Sequence, residues 1–271
     1  MDAHTEGIVL KQTKTLNGRR MLTLFSKEYG KIGAGTGLAA KAKSGSSLAL
    51  RPFTYGIYGL RQSRGAWHMN SAEVLRDFFR LAEEPDRFAN CSYALEFTEK
   101  LLPEEAPAPA LFALVLEYFE MMEGRRKKFD TLTLAFLFKA IHIWGAAPEI
   151  ERCARCGKTP QGAVSFGVRD GGIVCDACMK AEIIPDTGKD RLLYPLNFDI
   201  LNVMRYIPGR PLRDLERLAL DGPVLLALKR ILREHAAWHL GLSGLKSEEF
   251  FNNGLTIRRK EPQTDGYRNH P

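Results

Sequence analysis

The sequence predicts a multi-domain α+β protein: an N-terminal five-stranded β-barrel, then an α-helical C-terminal body that carries a four-cysteine insert. Three observations predict it. Apolar residues alternate between turn signals along residues 5–70, which is the period of strands. From Ser71 the apolar spacing becomes that of amphipathic helices. Four of the five cysteines form two Cys-x-x-Cys pairs, Cys153/Cys156 and Cys175/Cys178.

The strands follow in order. Residues 7–10 open the first and residues 21–25 make the second, with Leu22 and Leu24 on one face. Asn17-Gly18 lies between them, and both residues tolerate the positive φ of a tight hairpin. Glu28-Tyr29-Gly30 marks a turn before a third strand at residues 31–34. Residues 35–47, rich in Gly, Ala, Ser and Lys, read as a loop. Residues 47–60 read as one long strand, with Pro52 marking an edge or a bulge, and residues 65–69 as a fifth. Five short strands in so little chain point to a closed barrel of the OB-fold type.

The first helix is expected from Ser71 as N-cap, with Val74, Leu75, Phe78, Phe79 and Leu81 as its apolar stripe. Further helices are expected at residues 90–102, 110–123, 129–144, 197–206, 212–220 and 223–240. Cys91 opens the second of these and reads as a core residue. The domains are therefore expected at 1–80 for the barrel and 81–271 for the helical body, with the insert at about 150–190. The polar tail from Glu261 is expected to fray.

Composition excludes several classes. No run approaches the ~20 apolar residues of a membrane helix, so no membrane partner is expected. The acidic N-terminus lacks the basic-then-apolar pattern of a secretory signal, so the expected compartment is the cytoplasm. P-loop, dinucleotide-binding, nucleophile-elbow and zinc-deaminase motifs are absent, and no enzyme activity is expected. His235 and His239 stand four apart but lack a metalloprotease motif, and they read as packing or surface residues.

The cysteine pairs carry the most specific signal. Eighteen residues separate Cys156 from Cys175, which matches a four-cysteine zinc ribbon. Each pair aims two sulfurs at one point about 2.3 Å from a zinc ion, and two pairs complete a tetrahedron. Gly157 suits the tight turn after the first pair. A hairpin is expected between the pairs, through Arg169-Asp170-Gly171. One structural zinc ion is the expected cofactor, because four thiolates leave no open position for water. Two disulfides or an iron–sulfur cluster are the alternatives.

Charge is uneven. Residues 1–80 hold 13 Lys+Arg against 5 Asp+Glu, a net of +8, while the whole chain carries +7. The remaining residues are thus near neutral, and the basic end points to a polyanion partner. OB barrels bind single strands with a positive groove and stacking rings. The candidate cations are Lys11, Lys14, Arg19, Arg20, Lys27, Lys31, Lys41, Lys43, Arg51, Arg61 and Arg64. Among the aromatic residues, Phe25 and Phe53 read as core, Tyr29, Tyr55 and Tyr58 as surface platforms, and Trp67 as a further candidate. No spacing encodes base-specific readout.

At this point the sequence resembles a known family. Glu6-Gly7-Ile8-Val9-Leu10, Leu22-Thr23-Leu24-Phe25-Ser26, Tyr29-Gly30-Lys31 and Leu50-Arg51-Pro52-Phe53-Thr54 are similar to the RecO family of bacterial recombination mediators and DNA repair proteins. The likeness continues through Tyr93-Ala94-Leu95-Glu96, Leu101-Leu102-Pro103-Glu104-Glu105, Ala147-Pro148-Glu149-Ile150-Glu151-Arg152-Cys153, Cys156-Gly157-Lys158 and Gly244-Leu245-Lys246-Ser247. It implies an OB fold, a helical body and a zinc-finger insert. It also implies binding of single- and double-stranded DNA and annealing of complementary strands. The implied partners are RecR, the single-strand binding protein SSB and, indirectly, the recombinase RecA, with nucleoid association during repair. The segment 37–44 departs from the family's strongly basic loop, keeping only Lys41 and Lys43. SSB proteins end in an acidic, apolar tail, whose receptor pairs a cation with an apolar groove. Arg125, Arg126, Lys127, Lys128 and Lys139 are the candidates for it. A metal-dependent nuclease, which needs a carboxylate cluster for a second metal, and a zinc-ribbon transcription regulator are the alternative functions.

Overall fold

The structure is a computed structural model that describes residues 2–15, 20–38, 45–181, 193–196, 198–220 and 222–253. The Asn17-Gly18 turn, Arg19, Lys41, Lys43 and the tail from Glu261 lie outside the described residues. Strands β1 (Asp2–Lys14), β2 (Arg20–Ser26), β3 (Gly30–Thr36), β4 (Thr54–Ser63) and β5 (Ala66–Asp77) close into a barrel in the order β1-β2-β3-β5-β4. Closure depends on the length of β1. Its first half pairs antiparallel with β4, and its second half pairs with β2. β3 meets β5 in parallel over three residues, Ala34↔Trp67 to Thr36↔Met69. This is the OB barrel that the strand pattern predicts.

The interior holds Val9, Leu22, Leu24, Ile32, Leu60 and Met69, together with Tyr58. Tyr58 is a correction. It was expected on the surface, yet it is fully buried, and its hydroxyl donates to the Ala49 carbonyl at 2.8 Å.

Two further expectations fail for tertiary reasons. Residues 47–60 are not one strand. A short helix α1 (Gly45–Leu48) and a turn come first, and buried Leu50 joins the barrel interior before β4 starts at Thr54. The apolar run reads as a strand because sequence cannot separate a buried plug from a pleated face. The helix expected from Ser71 is absent too. β5 runs on to Asp77, paired with β4 as far as Thr54↔Asp77, and the apolar stripe divides between this strand and a 3-10 turn at Phe79–Ala82. Gly56 permits that close pairing, since a Cβ there would lie 2.3 Å from the Glu73 carbonyl oxygen.

The body begins with α2 (Pro85–Leu101), ahead of the expected residue 90. The Glu84 carboxylate accepts from the Asp86 and Arg87 amides at 3.2 and 2.6 Å, and Pro85 takes the first helical position. Cys91 therefore sits inside the helix rather than at its start, and it is buried as expected. Helices α3 (Pro109–Gly124) and α4 (Phe129–Ile143) follow. The insert contains β6 (Val164–Gly167), β7 (Gly172–Cys175) and α5 (Asp176–Lys180). Strand β8 (Leu193–Leu196), which the sequence did not signal, extends the sheet to β7-β6-β8. Then come α6 (Phe198–Tyr206), a 3-10 turn at Leu212–Leu215 where a full helix was expected, α7 (Gly222–Leu240) and α8 (Glu248–Asn253).

Barrel and body share one apolar core. Ile8, Leu10 and Phe25 point out of the barrel and into the helices. Phe25 meets Phe112 edge-on at 5.2 Å, and Phe53 lies 5.5 Å from Phe119. Within the body, the Lys229 ammonium donates to Asp130 at 2.7 Å and to the Phe251 carbonyl at 2.8 Å, while Asn90 donates to the other Asp130 oxygen at 2.8 Å. These bonds tie α2, α4, α7 and α8 together. Lys229→Met removes one of the two donors to Asp130 and the side-chain donor to the Phe251 carbonyl. It is expected to lower stability by about 2–4 kcal/mol, read as a lower urea midpoint with an unchanged m-value; an unchanged midpoint would contradict this role.

Candidate metal centre and nucleic-acid interface

The cysteine module is built from a turn, a hairpin and a helix end. At the turn, the Gly157 amide donates to the Cys153 carbonyl at 2.8 Å and the Cys153 amide donates to Lys158 at 2.9 Å. Gly157 has φ of +71°, a conformation that glycine adopts at little cost. The hairpin of β6 and β7 then returns the chain to Cys175 at the N-terminal end of α5, and Cys178 lies on that helix. The four sulfurs all lie within 4.8 Å of one another, and the Cys156 and Cys175 sulfurs are 3.9 Å apart. A tetrahedron with bonds of about 2.3 Å has edges of about 3.8 Å, so the donor set fits a four-thiolate metal. Among the described residues this is the one group of three or more His, Cys, Asp or Glu close enough to hold a metal.

Burial raises the Cys153 thiol's pKa, but the amides of Cys175, Cys156 and Arg155 point at its sulfur and bring the pKa down to about 6. The Cys178 thiol is pushed up to about 12, chiefly by its hydrogen bonds to the Cys175 and Cys156 sulfurs. Without a cation the cluster retains protons, and a bound metal displaces them.

Two histidines fasten the module to α7. His235 Nε2 lies 2.7 Å from the Ala146 carbonyl oxygen, just ahead of the insert, and His239 Nε2 lies 2.7 Å from that of Val168, at the hairpin turn. Phe166 and Val168 enter the shared core beside them. The i, i+4 pair is thus a clamp, in keeping with the packing role expected of it.

The barrel register sorts the candidate cations. One row runs Lys14↔Arg20↔Thr36↔Met69↔Leu60↔Ala3 across the sheet. It brings Lys14, Arg20 and the β4–β5 hairpin to one end of the barrel, where Arg61 and Arg64 also lie. Lys14, Arg20 and Arg64 form no ion pair with a described residue, and Arg61 meets only exposed Asp2, at 3.9 Å. The other cations are engaged elsewhere. Lys31 is 14% exposed, pairs with Glu104 at 3.2 Å and donates to the Glu99 carbonyl at 3.0 Å. Lys11 pairs with Glu99 at 3.5 Å and Lys27 with Glu6 at 3.1 Å. Arg51 stacks on Phe79 at the seam with the body.

The candidate rings are taken up in packing and hydrogen bonds. Phe25 and Phe53 are buried as expected. Trp67 is buried too, and its indole donates to Glu105 at 2.8 Å. Tyr29 packs on Trp67, and the Tyr55 hydroxyl donates to Glu6 at 2.6 Å. In the body, the Arg125 guanidinium donates to the carbonyls of Glu216 and Leu218, Lys128 reaches that of Leu220, and half-buried Lys139 reaches that of Pro208. Arg126 and Lys127 remain exposed.

Two family models match the chain, Recombination protein O N terminal over residues 1–78 and Recombination protein O C terminal over residues 82–249. The chain belongs to the RecO family. It is similar to the DNA repair protein RecO of Pelotomaculum thermopropionicum, 29% identical over 91% of this chain and 92% of that protein. The RecO of Halalkalibacterium halodurans is 26% identical over 96% and 98%, and that of Bacillus subtilis 27% identical over 91% and 92%. The family's closing stretch has a clear structural task here. Glu96 accepts from the amides of Lys246 and Ser247 at 3.0 and 2.8 Å, binding residues 244–247 to α2. Sequence reasoning missed this carboxylate, since its partners lie 150 residues away.

Burial holds the His235 imidazole below its ordinary value, and His239 adds to this against the opposing Ala146 carbonyl. The unfolded chain takes up that proton near pH 6.5, whereas the folded protein resists it to lower pH. Stability is therefore full above pH about 6.5 and falls as pH drops. The melting temperature should decline from pH 7 to 5, and His235→Gln should flatten part of that decline; identical slopes would contradict the clamp.

Proposed function

We propose that the protein is a mediator of DNA repair and homologous recombination. It binds single- and double-stranded DNA at the far end of the barrel, through Lys14, Arg20, Arg61 and Arg64; Arg19, Lys41 and Lys43, outside the described residues, are further candidates from the sequence. One observation carries the reading: the strand register collects the cations that have no strong partner at the end turned away from the helical body. Lys11, Lys27, Lys31 and Arg51 serve mainly to hold the barrel to itself and to the body. Since the candidate rings are buried or packed elsewhere, affinity comes from phosphate neutralisation rather than stacking, with little sequence preference. Neutralising two backbones lowers their repulsion, and annealing of complementary strands follows without a covalent step.

The family resemblance supports the remaining parts. The protein assists RecA loading onto SSB-coated single strands together with RecR, in the cytoplasm and on the nucleoid during repair. No helix among the described residues is long and apolar enough to cross a membrane. Of the five candidate cations of the body, exposed Arg126 and Lys127 are the ones that meet an acidic SSB tail. Cys153, Cys156, Cys175 and Cys178 bind one structural zinc ion, which fixes the insert against α7. The chain divides at about residue 80 into an OB domain and a helical domain that carries this insert.

Salt titration tests the DNA reading. The log–log slope of affinity for oligothymidine should be about −0.7 per phosphate contacted. Alanine at Lys14, Arg20, Arg61 and Arg64 together should make it shallower by about 2–3, whereas Lys27→Ala should leave it unchanged. An unaltered slope in the quadruple variant would overturn the assignment. For the metal, a strong chelator or Cys153→Ser should release about one zinc per chain and lower the melting temperature. A metal-free protein with unchanged stability and lost DNA affinity would contradict the structural role.

A further inference from the structure

The sulfurs of the cysteine module are unequally guarded. Cys153 is 1% exposed, and its sulfur accepts from the Cys175 amide at 3.4 Å. Cys175 and Cys178 are half-buried, whereas Cys156 is exposed. An open hollow of about 650 Å³, flanked by Lys158 and Asp176, leads to these last three. Thiolate reactivity follows access as well as charge, so a small oxidant entering the hollow meets Cys156 first. The Cys175 sulfur lies 3.9 Å from it.

The module is also unequally attached. Its hairpin is held without help from a metal. β6 pairs with both β7 and β8, the Ala154 amide donates to the Ile173 carbonyl at 2.8 Å, and His239 grips the Val168 carbonyl. Phe166 and Val168 are anchored in the shared core. Helix α5 differs. None of its residues is buried, and its Asp176–Lys180 ion pair lies within the helix. Arg155 reaches its Cys178 carbonyl at only 3.5 Å. A metal bound through the Cys178 sulfur therefore supplies much of the attachment of α5.

We propose that Cys156 and Cys175 form a peroxide-sensitive modification site, whose oxidation releases the metal and frees α5 while the hairpin stays docked. The release rests on the reading that the four cysteines hold zinc. The Cys156 thiolate attacks one oxygen of hydrogen peroxide. An S–O bond forms, the O–O bond breaks, and the departing hydroxide takes a proton from solvent to become water. The Cys175 thiolate then attacks the sulfenic sulfur of Cys156. The S–S bond forms, the S–O bond breaks, and a second hydroxide leaves and is protonated to water. The two sulfurs lose the pair of electrons that the peroxide gains. Cys153 and Cys178 alone fall short of the four ligands of a structural site. The basic end of the barrel takes no part.

Peroxide treatment of the full-length protein, with its zinc content measured beforehand, tests this by disulfide mapping. Trypsin cuts after Arg155 and separates Cys153 from Cys156, and fragmentation between Cys175 and Cys178 assigns the second sulfur. Cys156–Cys175 should be the main disulfide, and buried Cys91 should stay reduced. Zinc should appear in solution in step with the disulfide, and dithiothreitol with added zinc should reverse both. Amide exchange in residues 176–180 should speed up by about tenfold or more, with β6 and α7 unchanged. Oligothymidine affinity should stay within about twofold of the reduced protein's. Retention of all four thiols, first oxidation at Cys153, disulfides spread evenly over the possible pairs, or equal loosening of β6 and α7 would overturn the proposal. A protein purified without zinc would contradict the metal reading alone, and the disulfide map would still decide the oxidised pair.

Discussion

Packing of Phe25 and Phe53 against Phe112 and Phe119 governs much of what the chain does elsewhere. It converts part of the barrel wall into interior, so β1 buries four consecutive residues, Gly7 to Leu10, rather than alternating. A strand covered on both faces must be apolar on both. Polar ties follow the same seam. Arg76 binds Glu120 and Glu123 at 2.7 and 2.8 Å, and Glu105 donates its amide to the Lys31 carbonyl at 2.9 Å. The exposed ion pairs among these contribute little individually, and the apolar contact supplies most of the adhesion.

This seam also decides which charges can act. Half of the barrel faces α2 and α3, and its lysines find carboxylates or carbonyls there. A formal excess of +8 in the first 80 residues is therefore not spread over a uniform basic surface. Among its described members, Lys14, Arg20 and Arg64 at one end of the barrel form no ion pair with a described residue. The cysteine module lies elsewhere, clamped on α7 by His235 and His239. Its Arg155 is bound to Asp170 at 2.7 Å and Arg205 of α6 reaches its Glu151 at 3.0 Å, so the insert too spends charge on its own attachment.

Features encoded locally were legible in the sequence. Cys153, Cys156, Cys175 and Cys178 converge because each pair is fixed by its own turn. Leu22 and Leu24 alternate because β2 presents one face to the barrel interior. Misreadings arose where distant partners overrule local pattern. Residues 71–77 carry helical spacing but become strand because β4 offers a matching edge. Tyr58 resembles a surface ring until Ala49 supplies its buried hydrogen-bond partner. Lys31 counts as a free cation until Glu99, 68 residues on, takes its ammonium. Nothing in the spacing of charged residues announces such pairs, since they exist only once the seam has formed.

The most direct test of this account is photocrosslinking of a thiothymidine-substituted oligothymidine to the intact protein, with the attachment sites mapped by mass spectrometry. Crosslinks should concentrate at Lys14, Arg20 and residues 61–68, at the barrel end away from the helices. Crosslinks concentrated in the cysteine module, or along α2 at the seam, would contradict it.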